Sequence, residues 1–183
     1  MNEFGRAAPA RRFRRRPFSL VPKRLCRSIY ALDLDALHAR GIRVLFADLD
    51  NTLARYSEHA PSEELRAWAQ NVEAHGIRLF VLSNSRKATR ADVFCKALDI
   101  PYLKHAGKPK RSGFQKAMAL CGAPAGECAI VGDQIFTDIL GGNRSGVYSV
   151  LVHPLAIDNV FRAIRYGVET PFRLLCRDKE GWR

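Results

Sequence analysis

No apolar run in this chain approaches the roughly 20 residues that a membrane-spanning helix needs, so a transmembrane segment is not expected. Its five cysteines, Cys26, Cys95, Cys121, Cys128 and Cys176, contain no C-x-x-C pair. Neither a disulfide framework nor a zinc site is indicated, and a reduced, intracellular setting is the expectation. The histidines, His38, His59, His75, His105 and His153, lack metal-ligand spacing, and no internal repeat is visible. Acidic residues are scarce, 18 against 30 Lys and Arg, for a formal charge of +12. At 183 residues there is room for one domain with a substantial core and a tail at either end, and none for a second full domain.

The positive charge is concentrated at the start. Residues 1–30 hold nine Lys or Arg against the single acid Glu3, so +8 of the +12 lies there. From Met1 to about Pro22 the chain mixes Arg, Pro and Ala without a helical or strand period, which predicts a tail that is disordered or ordered only on a partner. It is Arg-rich like a transit peptide, yet no apolar stretch or small-residue cleavage site follows, so it reads as retained in the mature protein. The divisions expected are a basic tail over 1–27, a catalytic domain over 28–155, and a C-terminal amphipathic helix and tail over 156–183.

A short helix is expected over Asp33 to Ala39. From Gly41 the pattern becomes apolar strands alternating with amphipathic helices, as in a doubly wound parallel α/β sheet. Strands are expected at 43–48, 77–82, 101–103, 128–131 and 148–152. Helices are expected at 62–75, 87–98, 112–121 and 135–140, the last broken by Gly141-Gly142-Asn143. Trp68, at helical spacing with Leu65 and Val72, is a core candidate. A final helix over about 157–168 carries Val160, Ile164 and Val168 on one side and Arg162 and Arg165 on the other. That apolar side suits the core or a membrane, and packing against the core is the expectation.

Ligands of open α/β sheets bind beyond the carboxyl ends of the strands. There the sequence is polar: Asp48-Leu49-Asp50-Asn51-Thr52 after the first strand, Ser83-Asn84 after the second, and Asp133 followed by Asp138 after the fourth. Carboxylates gathered on one rim repel unless a hard divalent cation neutralises them. Magnesium, which takes oxygen ligands and substrate phosphate, suits Asp48, Asp133 and a phosphoryl oxygen. One carboxylate of such a set can also act as a nucleophile.

The D-x-D-x-T form of residues 48–52, Ser83, Lys108 in Gly107-Lys108-Pro109, and Gly132-Asp133 with Asp138 stand in the order of the four motifs of the haloacid dehalogenase superfamily, which residues 41–153 resemble. The resemblance implies a three-layer Rossmann-like parallel sheet of five core strands and an Mg2+-dependent phosphatase. In it Asp48 attacks phosphorus, while Asp50 protonates the leaving alcohol and then deprotonates water. Thr52, Ser83, Asn84 and Lys108 would bind the substrate phosphate, with Lys108 also offsetting charge on Asp48. Magnesium would be held by Asp48, the backbone carbonyl of Asp50 and Asp133, with Asp138 supporting. More narrowly, Leu82-Ser83-Asn84-Ser85, Lys108-Pro109, Gly132-Asp133-Gln134, Gly141-Gly142-Asn143-Arg144 and Ser28-Ile29-Tyr30 resemble the bacterial YqeG family, which is similar to the phosphatidylglycerophosphate phosphatases. The Arg-rich start is not part of that pattern.

Superfamily members with a cap domain carry it between the first and second motifs or between the second and third. Here each interval is filled by a loop, one helix and one strand, so no cap is expected and the site should be open. An open site draws its recognition from a large substrate or a surface, and a lipid headgroup phosphate fits. The basic tail, with Phe13, Phe18 and Leu20 interleaved, suits an anionic membrane, each Lys or Arg contributing about 1 kcal/mol near the surface. The expected location is cytoplasmic, peripheral at the inner face of the membrane. Nucleic acid is the alternative partner for the tail, and a nucleic-acid end or phosphoprotein phosphatase is the alternative activity. A non-catalytic scaffold is the competing class, against which intact Asp48 and Asp50 argue, and phosphotransfer would use the same residues.

Overall fold

The computed structural model describes residues 19–85 and 89–180. The expected behaviour of the basic tail therefore falls, up to residue 18, outside the described residues. The strands are β1 (Arg24–Cys26), β2 (Val44–Ala47), β3 (Arg78–Leu82), β4 (Tyr102–Leu103), β5 (Cys128–Gly132), β6 (Tyr148–Val152) and β7 (Lys179–Glu180). The helices are α1 (Leu34–Ala39), α2 (Glu63–Ala74), α3 (Arg90–Leu98), α4 (Arg111–Cys121), α5 (Leu140–Ser145) and α6 (Val160–Leu174).

All strand pairs are parallel, in the order β4-β3-β2-β5-β6-β1-β7. The five strands expected from the sequence are thus a contiguous block of the sheet, from the β4 edge to β6. β1 and β7 extend one edge, and β1 lies within the segment that reads as tail on charge alone. Its Leu25 and Cys26 are fully buried, and the backbone N–H groups of Lys23 and Leu25 donate to Ser149 and Asp178. Two apolar residues between basic ones suffice for a short strand once a neighbour supplies the ladder.

Both faces of the sheet are covered, and alternate residues divide between them. Leu45, Ala47, Leu79, Val81, Ala129 and Val131 pack against α1, α2 and α3 through Leu37, Leu65, Trp68, Val72 and Phe94. Val44, Phe46, Phe80, Leu82 and Ile130 pack against Phe114 and Ala117 of α4. α2 starts where its sequence allows: Ser62 accepts from the Leu65 N–H at 3.1 Å, and Glu63 and Glu64 occupy the first turn.

Gly141 and Gly142 do not break the helix that the sequence ends there. A π-helical turn over Ile135–Ile139 runs directly into α5, and the helix closes at Gly146 with φ +81°. A Cβ on Gly141 would stand 2.5 Å from the Phe114 ring, and one on Gly142 2.5 Å from Ile130. These glycines let α5 press onto β5 and α4, so close packing and not backbone freedom places them in a helix.

The final helix also departs from expectation. Asn159 caps it by accepting from the Arg162 N–H at 2.9 Å, and it continues past residue 168 to Leu174 with Pro171 inside. Its apolar side is not packed: Val160, Phe161, Ile164 and Val168 are exposed, whereas Glu169 and Arg173 are buried. Periodicity reveals two faces but not which one points inward.

Candidate active site

β2 lies between β3 and β5, with β4 beyond one and β6 beyond the other, so the chain runs outward in both directions from the β2/β5 pair. This is the switch point at which open α/β sheets form their crevice. Asp48 follows β2 and Asp133 follows β5, and the Asp48 N–H donates to the Val131 carbonyl at 3.0 Å. Register alone brings the two carboxylates together.

Asp48 accepts from Lys108 Nζ at 2.6 Å, and the same nitrogen lies 2.7 Å from Asp138 Oδ1. All three side chains are buried. Gly132 makes this possible, because a Cβ there would stand 2.4 Å from the Asp138 carboxylate. Asp138 Oδ2 in turn accepts from the Gln134 N–H at 3.2 Å. Burial, reinforced by Asp138 and Asp133, pushes the Asp48 carboxyl above the ordinary range against the pull of Lys108. Burial by itself would depress Lys108, but the facing Asp138 and Asp48 outweigh it and hold the ammonium above its usual value. Asp133 is pushed up to about 7 by burial and then by Asp138, with Arg165 opposing.

Ligand oxygens of Asp48, Asp133 and Asp138 lie within 4.8 Å of one another. Asp133 Oδ2 is buried with no hydrogen-bond partner, its nearest cation being Arg165 at 3.5 Å. An all-carboxylate donor set with an unspent oxygen fits a hard divalent cation such as magnesium. Lys108 Nζ stands against both Asp48 Oδ1 and Asp138 Oδ1, so of the three carboxylates Asp133 is the one that does not face the lysine.

Asp50 accepts from Arg90 Nε at 2.6 Å. Arg90 also donates to the carbonyls of Arg55, at 2.5 Å, and Glu58, and its guanidinium lies 4.8 Å from the Phe94 ring centroid. Thr52 is buried, with Oγ1 3.4 Å from Asp133 Oδ1. Ser83 is buried and accepts from the Ser85 N–H at 3.0 Å. Asn84, grouped on sequence with the phosphate-binding residues, has its amide committed elsewhere: Nδ2 donates to the Lys108 carbonyl at 2.9 Å and Oδ1 accepts from the Lys108 N–H at 3.0 Å. In this arrangement Asn84 positions the lysine.

Asn51 sits in the left-handed region with φ 69°, which asparagine tolerates better than most residues. Its carbonyl accepts from the Leu155 N–H at 3.0 Å, and its side chain exchanges bonds of 2.7 and 3.2 Å with Ala156. The loop that carries Asp48 and Asp50 is thereby clasped to the segment after β6.

Sequence reasoning missed Arg90, Glu169 and Arg173 as site residues. Glu169 accepts from the N–H groups of Ile135, at 2.9 Å, and Phe136, at 3.3 Å. Arg173 Nη2 donates to the Asp133 carbonyl and to Glu169, both at 3.0 Å. Together they fix the loop after β5 from α6. The available signal was Glu169 and Arg173 at i, i+4 spacing, which is indistinguishable from an ordinary solvated pair.

Residues 5–146 match the family model of the haloacid dehalogenase-like hydrolases. "Probable phosphatase YqeG" of Bacillus subtilis (strain 168) is 31% identical over 155 residues, covering 85% of this chain and 89% of that protein. "Phosphatidylglycerophosphate phosphatase 1, chloroplastic" of Chlamydomonas reinhardtii is 36% identical over 143 residues, 74% of this chain, and the chain spans 53% of that relative's length. A crystal structure of an uncharacterized protein from Listeria monocytogenes serotype 4b matches with a TM-score of 0.51 at 15% identity, covering 71% of this chain and 99% of that one, a likeness of fold alone. With carboxylates and lysine gathered at the switch point of a parallel sheet, and the family model matching most of its length, this chain belongs to the haloacid dehalogenase-like hydrolases.

Proposed function

We propose that this chain is a magnesium-dependent phosphatase that hydrolyses a phosphate monoester through an aspartyl-phosphate on Asp48, and that its substrate is the lipid phosphatidylglycerophosphate. The observation that carries the reaction is the buried Asp48 carboxylate, 2.6 Å from Lys108 and grouped with Asp133.

Asp48 attacks phosphorus as the bond to the leaving alcohol breaks, and Asp50 supplies the proton that the alcohol takes. Asp50 then removes a proton from water, which attacks the aspartyl-phosphate, releasing phosphate and restoring Asp48. Arg90 holds Asp50 by Oδ1 and so orients Oδ2, the oxygen left for this work. Ser83 and the backbone N–H groups of Asp50 and Thr52 would meet the phosphoryl oxygens, the Asn51 N–H being committed to the Ala54 carbonyl at 2.8 Å, and Lys108 offsets charge on the nucleophile and the transferring group. Asp48, Asp133 and the Asp50 carbonyl would hold magnesium, which would supply positive charge beside the phosphate.

Because Asp133 is raised to about 7, it must lose a proton to take up the cation. Asp48, pushed up to about 8, must lose its proton as well, so the apparent magnesium affinity should tighten as pH rises, by up to about tenfold per unit for each proton lost, and level off only above about pH 8. Calorimetric titration at several pH values checks this, with proton uptake or an affinity independent of pH as the contrary result.

The lipid reading is supported by the name of the algal relative and by the absence of any cap among the described residues between Asp50 and Lys108. Its test is magnesium-dependent phosphate release from phosphatidylglycerophosphate in vesicles, set against a phosphorylated oligonucleotide. Preference for the lipid is expected, and cleavage of the oligonucleotide alone would replace the lipid by nucleic-acid ends.

A further inference from the structure

α6 is turned inside out. Arg162, Arg165, Tyr166, Glu169, Thr170 and Arg173 face inward or sit at the margin, and several of them bind the loops of the active site. Outward lie Val160, Phe161, Ile164, Val168, Leu174 and Leu175, of which Phe161 is 85% exposed. The other exposed positions from 160 to 175 are Ala163, Gly167 and Pro171, so that outer face carries no charge. An exposed apolar surface of this length marks a docking site.

We infer that the outer face of α6 docks on an anionic lipid bilayer, with the helix lying in the interface plane. The inference rests on the lipid-phosphate reading of the neighbouring site. Three observations favour this occupant. The polar side of the same helix reaches the catalytic carboxylates, Arg165 lying 3.5 Å from Asp133, so insertion of the apolar side brings the site to headgroup depth. Arg165, four residues after Phe161 and three before Val168, borders the insertion face at 32% side-chain exposure, where it can meet lipid phosphates, while Arg162 lies on the opposite side and pairs with Asp158. The chain as a whole carries +12, which complements an anionic surface. An amphipathic helix with an arginine beside a Phe, Ile and Val face is the ordinary form of an interfacial helix.

The test is flotation of the full chain with phosphatidylglycerol-containing vesicles, comparing wild type with the Phe161→Glu/Ile164→Glu double variant. At about 1 M salt, where the screening length is roughly 3 Å, charge attraction through the basic tail is suppressed and apolar insertion remains. Wild type is expected to stay bound, and the double variant to bind on the order of 100-fold more weakly. Neither residue belongs to the catalytic machinery, so turnover of a soluble aryl phosphate should be equal in both. Equal flotation of the two proteins would overturn the docking surface whatever the substrate proves to be. Loss of binding in the variant, with wild type inactive on phosphatidylglycerophosphate, would uphold the surface and overturn the lipid substrate. A dimer in lipid-free solution that the variant dissolves and vesicles do not compete away would assign the face to a second copy and overturn the proposal.

Discussion

Asp48→Asn should lower phosphate release by on the order of 10^4-fold or more while leaving the fold intact. The amide oxygen of asparagine can still accept from Lys108, which lies 2.6 Å from Asp48 Oδ1, so the buried lysine keeps a partner. What is lost is the negative charge that in the proposed mechanism attacks phosphorus, and neither water nor Asp50 can replace it in the same position. Burial pushes the Asp48 carboxyl up, so its ionised form is costly in the folded protein and neutralising it should not lower the melting temperature. The measurements are phosphate release from a soluble aryl phosphate and a thermal melt. Full activity in Asp48→Asn would remove the aspartyl-phosphate from the mechanism.

Lys108→Met should produce the largest loss of stability. The lysine lies 2.6 Å from Asp48 and 2.7 Å from Asp138, and its removal leaves two buried carboxylates without their cation. Breaking a buried pair in this way costs about 3–5 kcal/mol. The sign of the pH dependence follows from the groups left behind. In the wild type Lys108 is held above its ordinary value, so its contribution is complete at every pH below that value. In the variant the orphaned carboxylates bind protons more tightly folded than unfolded, so the penalty is small near pH 4 and grows as pH rises. Urea unfolding at pH 5 and pH 8 should show the larger deficit at pH 8. An equal deficit at both would mean that the lysine acts by packing and not by charge. Catalysis should fall by about 10^2–10^3-fold even where the variant stays folded, since a preorganised cation beside the phosphate is gone.

The residues that carry these two effects were legible because each follows an apolar run at a strand end, where position in the sequence dictates position in the site. Asp48, Ser83 and Asp133 are of this kind, and Lys108 is recognised by its Gly107-Lys108-Pro109 setting. Arg90 was not legible: it sits in a helix among other polar residues, and only the fold brings it to Asp50, 40 positions away. Gly141 and Gly142 misled because a glycine pair signals a helix end as readily as close packing, and only the nearness of Phe114 and Ile130 decides between them. α6 shows a more general gap. A helical period separates an apolar stripe from a polar one, but which stripe is buried depends on what the rest of the molecule offers. Here that is the Asp133 carbonyl and the amides of Ile135 and Phe136, which polar side chains satisfy and apolar ones cannot.

The clasp between Asn51 and residues 155–156 bears on how small a working enzyme can be made. The five βα steps that end near residue 153 hold every motif residue, yet a fragment cut there would lack the partners of Asn51, the cation beside Asp133 and the buried anchor of the loop after β5. A unit that keeps these contacts extends through Arg173, and an expression clone trimmed to the motifs is expected to hold the proposed catalytic residues without the scaffold that aims them.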